Sequence, residues 1–172
     1  MSLRIGISLV LVTVLALPLA LQGAAVRAAD DNGAPSFAGR WTVVADPGQA
    51  GGSPSAFFGG RDFTVTQDDK KLAIARTVPA EASQYPGAKS TFNLDGSESK
   101  NSTLIGGQTI ELISTATWDG PKLVIVTKYS AQGMAVQQTD TWSLDKSGNL
   151  KVDQQRTQAG RPSAGSWTYK KN

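Results

Sequence analysis

Ala116-Thr117-Trp118-Asp119-Gly120-Pro121-Lys122-Leu123-Val124-Ile125 decides the fold of this chain. An alternating run ends on an aromatic residue, turns at Asp-Gly, and a β-branched run begins at once. Asp-Gly between alternating runs is a strong hairpin signal, because two-residue hairpin turns need positive φ, which glycine adopts without steric cost. The arrangement recurs at Phe92-Asn93-Leu94-Asp95-Gly96 and at Trp142-Ser143-Leu144-Asp145-Lys146-Ser147-Gly148-Asn149-Leu150. Hairpins in series give an antiparallel meander, and a meander of this length closes into a barrel.

Working outward, period-two alternation marks further strands. Phe37 to Val44 reads as the first. Asp62–Gln67 pairs with Leu72–Val78, Ser90–Leu94 with Ser97–Leu104, Thr109–Trp118 with Leu123–Tyr129, and Val136–Leu144 with Leu150–Gln158; Ser166–Lys171 is last. The expected class is all-β, an up-and-down meander of about eight to ten strands. Ala80 to Gln84 is the one weak helical candidate, ending near Pro86. Residues 45–60, rich in Gly, Pro, Ser and Ala, read as an extended loop.

The hairpins fix registers. Leu144 opposite Leu150 puts Trp142 opposite Val152, Asp140 opposite Gln154 and Gln138 opposite Arg156. Likewise Val65 faces Ile74 and Phe63 faces Arg76, while Trp118 faces Leu123, Ala116 faces Ile125, Ser114 faces Thr127 and Leu112 faces Tyr129. Each set shares one face of its ribbon. That face is aromatic and aliphatic near the Asp turns and polar away from them. Pointed inward, it gives a dry floor under a polar chamber lined by Arg76, Tyr129, Gln138, Asp140, Gln154 and Arg156. Such an interior is either filled by these side chains at a wet rim or holds one small ligand.

The first residues read differently. Arg4 precedes an uncharged apolar run from Ile5 to Leu21, and Val26-Arg27-Ala28 suits a cleavage site. Residues 1–28 therefore read as a secretory signal peptide, 29–36 as a flexible tail and 37–172 as one barrel domain. Export to the periplasm or the medium follows, with no stable membrane span after cleavage. Without Arg4 and Arg27 the 17 basic residues become 15, against 14 acidic ones. A charge this close to neutral gives no reason to expect nucleic acid as a partner.

The chain has no Cys and no His. That excludes disulfides, a Cys nucleophile, a Ser-His-Asp triad and the usual zinc and copper sites. Asp68-Asp69 and the Asp145 turn lack the spacing of a calcium loop and suit turn chemistry. Asn101-Ser102-Thr103 matches a glycosylation sequon but falls within a strand. Trp41, Trp118, Trp142 and Trp167 read as packing rather than as a stacking box. Glu111 and Asp140 are the strand-interior acids worth pairing for glycoside hydrolysis, yet their opposite parity does not place them together. No catalytic residue, metal or cofactor is expected, and the protein is not expected to be an enzyme.

At Phe37-Ala38-Gly39-Arg40-Trp41 the chain resembles lipocalin-type barrels, whose first strand opens with G-x-W. The resemblance implies that Trp41 plugs the floor, covered by a basic residue such as Arg156, Lys170 or Lys171. With Leu94-Asp95-Gly96-Ser97-Glu98, Ala116 to Leu123 and Thr141 to Leu144, the pattern is similar to a group of small exported bacterial proteins, lipocalin-like in outline and largely of unassigned function. Two functions stay open. One is a non-enzymatic barrel binding a small amphiphilic or anionic molecule. The other is an envelope interaction module or inhibitor with a solid core, meeting a protein partner through its tail and loops.

Overall fold

The computed structural model describes residues 33–44 and 62–172. The expected signal segment and the loop 45–60 lie outside the described residues. Among the described residues, ten antiparallel strands make one sheet: β1 Gly39–Val43, β2 Phe63–Gln67, β3 Lys71–Arg76, β4 Lys89–Asn93, β5 Ser99–Ile105, β6 Gln108–Asp119, β7 Lys122–Ala131, β8 Met134–Leu144, β9 Leu150–Gln158 and β10 Arg161–Lys171. The order is β4-β3-β2-β1-β10-β9-β8-β7-β6-β5. The meander thus curls until its two edge strands, β4 and β5, come together as chain neighbours. The barrel is nearly closed, as the hairpin series implied. The helical candidate is a single 3-10 turn, Ala80–Ala82.

Strict alternation drives the curl. In β7, Leu123, Ile125, Thr127 and Ala131 are buried, with more exposed residues between them. β-branched side chains favour this pleated, half-buried surface. The predicted registers hold: Trp118 faces Leu123, Val65 faces Ile74, and Asp140 faces Gln154.

One expected hairpin differs. Ser90–Leu94 and Ser97–Leu104 were to form a ladder across Asp95-Gly96, but β4 and β5 share none. Side chains bridge them instead. The Asn101 carboxamide accepts from Thr91 N at 2.8 Å and donates to Thr91 O at 2.9 Å, imitating a neighbouring peptide. Asn93 N donates to Ser99 Oγ at 2.8 Å, and Asn93 Nδ2 to Glu98 O at 3.0 Å. The seam is held by side-chain surrogates, so edge groups that would otherwise lack partners are satisfied.

The floor is aromatic. Phe37 lies just before β1 rather than inside it, and its ring is fully buried. It stacks on Trp118 at 5.8 Å and meets the edge of Trp142 at 5.6 Å. The preceding residues run beneath the barrel, where Gln67 accepts from Phe37 N and donates to Pro35 O. Trp41, also fully buried, donates from Nε1 to Phe37 O at 2.8 Å. Of the three basic residues considered as its cover, Lys171 takes the place, with Nζ 5.6 Å from the ring centre. Gly39 makes this possible: a Cβ there would lie 2.5 Å from Lys171 Cε. The turn aspartates close the same end. Asp145 accepts from Ser147 N and from Asn149 N and Nδ2, which holds its carboxyl below the usual range, chiefly through Asn149.

Candidate functional site

The registers stack the inward side chains in tiers. Nearest the Asp turns lie Leu144, Leu150 and Tyr169 on β8 to β10; the next tier runs Trp118, Leu123, Trp142, Val152 and Trp167 across β6 to β10. Above it come Ala116, Ile125, Asp140, Gln154 and Gly165. The next tier is Ser99, Ser114, Thr127, Gln138, Arg156 and Ser163, running from β5 to β10. Six consecutive strands thus contribute six polar side chains to one belt above the apolar floor. Five of the six sequence-predicted site residues belong to these upper tiers or lie at their rim: Gln138, Asp140, Gln154, Arg156 and Tyr129. Arg76 stands at the top of β3, paired with Phe63 in the β2–β3 ladder and half-buried.

Asp140 is the deepest charge. It is fully buried and sits directly opposite Gln154. Gln154 Nε2 donates to its Oδ1 at 2.7 Å, and Gln138 Nε2 donates to its Oδ2 at 2.8 Å. It forms no ion pair with any described residue. Burial pushes its carboxyl up to about 6, against the opposing pull of the two amides. An unpaired buried carboxylate is costly, and two amide dipoles offset that only in part.

Arg156 faces the mouth instead. Its Nη2 donates to Gln158 Oε1 at 2.7 Å. Its guanidinium also bonds the Tyr129 phenol, which is raised by burial and drawn back by this cation. Arg156 therefore does not pair with Asp140. Glu111 points outward and is exposed, whereas Asp140 is inward, so these two acids do not form a catalytic pair.

Two belt atoms are buried without a hydrogen-bond partner among the described residues, Gln138 Oε1 and Arg156 Nε. They belong to residues directly opposite each other in the β8–β9 register. Elsewhere the belt is satisfied, as at Ser114 Oγ and Thr127 Oγ1, 2.9 Å apart. Ser99, Ser114 and Thr127 were not singled out from sequence. Ser114 and Thr127 were already paired by their hairpin; what was lacking was the β7–β8 register that aligns Thr127 with Gln138. On the far wall, Gly165 leaves room for the Trp167 ring, which a Cβ would meet at 2.6 Å.

Among the described residues the arrangement combines an apolar floor and a polar belt with Arg156 and Tyr129 at the rim. No helix among the described residues is long and apolar enough to cross a membrane. A scan against protein-family models matched none, and a search of curated proteins likewise found no match.

Proposed function

We propose that the chain is an exported, non-enzymatic barrel that reversibly holds one small amphiphilic molecule, apolar end down. The observation that carries this reading is the buried polar belt set over an aromatic floor inside a nearly closed barrel. A core serving only stability has little reason to bury a carboxylate, two glutamines and two hydroxyls on one side of its axis, since such groups cost free energy unless fully bonded. Of the two ligand chemistries expected from sequence, the amphiphilic one is better supported than the anionic. The Arg156 fork is already engaged by Gln158 and Tyr129. Export rests on the apolar leader and the Val26-Arg27-Ala28 exit. Native mass spectrometry of the purified mature chain tests the reading. A bound small molecule in stoichiometric amount is expected. A bare mass, together with no thermal shift across a ligand library, would remove it.

A second reading, a protein-interaction module, draws support from the exposed Tyr85, Leu104 and Met134. All three lie at the end of the barrel opposite the Asp turns, where an apolar contact surface could meet a partner.

A further inference from the structure

Gln138 Oε1 and Arg156 Nε are an acceptor and a donor, both buried, on residues paired across β8 and β9. The neighbouring groups are partly engaged. Both amide groups donate to Asp140, one to each oxygen, and the outer arm of Arg156 donates to Gln158. Turning the Gln138 amide over would set its oxygen against the Asp140 carboxylate, so the hydrogen-bond pattern itself fixes Oε1 as the free end.

A group bridging these atoms must give one hydrogen bond and take one. A carboxylate has only acceptors and would oppose Gln138 Oε1. An ammonium has only donors and would oppose Arg156 Nε. An unpaired buried donor or acceptor carries a desolvation cost, so a ligand satisfying both is favoured over one satisfying either.

Resting on the binding role proposed above, we infer that the ligand carries a neutral head with one donor and one acceptor, an alcohol or a primary carboxamide, which bridges Gln138 Oε1 and Arg156 Nε while its apolar tail reaches the tryptophan tier. The head thus sits between Asp140 and the Tyr129 mouth, and selectivity among amphiphiles comes from excluding charge.

The test uses four probes with the same tail: octanol, octanamide, octanoate and octylammonium. Each is titrated into the mature chain by calorimetry, beside native mass spectrometry of the untreated protein. Octanol and octanamide should bind, and the two ions at least about tenfold more weakly, the equivalent of one lost hydrogen bond. Arg156→Lys keeps the charge but removes Nε as a guanidinium donor, and should weaken octanamide about tenfold. Gln138→Leu should do the same if it folds; Arg156→Lys, at a half-buried position, carries the test if it does not. Equal or tighter binding of either ion, or neutral probes unaffected by Arg156→Lys, overturns the inference while leaving a binding barrel in place. No binding by any probe and a bare native mass overturn the inference and the binding role together.

Discussion

At the residue scale, Asp140 sets how the molecule responds to pH. Its folded pKa, about 6, lies above the ordinary 3.8. The folded state therefore holds this proton more tightly than the unfolded chain does. Its contribution to stability is full below about pH 4 and is lost as pH rises toward 6. A shift of this size corresponds to about 3 kcal/mol. Asp68, Asp95 and Asp145 act oppositely: their carboxyls are lowered by turn hydrogen bonds, so their stabilisation is lost only as pH falls below about 4. The two windows are separable. Urea unfolding between pH 4 and 7 should show wild-type stability falling with rising pH, and Asp140→Asn should flatten that slope. An unchanged slope in the variant would mean that Asp140 is not the titrating group.

At the element scale, the seam between β4 and β5 is held by the side chains of Asn101, Ser99 and Asn93, and Asn101 alone serves both Thr91 backbone groups. Asn101→Ala should free both Thr91 backbone groups and cost about 1–2 kcal/mol. Hydrogen exchange should quicken in β4 and β5 while the central β7–β8 pair keeps its protection. Uniform quickening across all ten strands would show that the seam is not a separate weak point. This scale also shows what a sequence yields. Trp118-Asp119-Gly120 fixed its hairpin because a two-residue turn pins register locally. Leu94-Asp95-Gly96 carries the same local signal, yet barrel closure, a property of the whole sheet, made its flanking strands the two edges. Phe37 looked like a strand residue because a floor plug has the same apolar signature. The β7–β8 turn was harder to read as a tight hairpin: its central residues are Gln132 and Gly133, both at positive φ, and Gln is unusual there. Without that turn, Thr127 could not be aligned with Gln138, and the belt could not be assembled although Gln138 and Arg156 had been named and Ser114 had been paired with Thr127.

At the scale of the whole molecule, the binding role proposed above has one consequence: with the aromatic floor closing the Asp-turn end, a ligand has to enter from the opposite end and stop at the tryptophans. Octanol titrated into isotopically labelled protein, with side-chain amide resonances followed by NMR, tests this most directly. The Gln138 and Gln154 amides, already set apart by their bonds to a buried carboxylate, should move in a saturable way with octanol, and the Trp142 indole should move with them. If those signals stay still while residues on the outer face of the barrel shift, or if nothing shifts at saturating octanol, the interior is a filled core and the barrel does not receive a ligand.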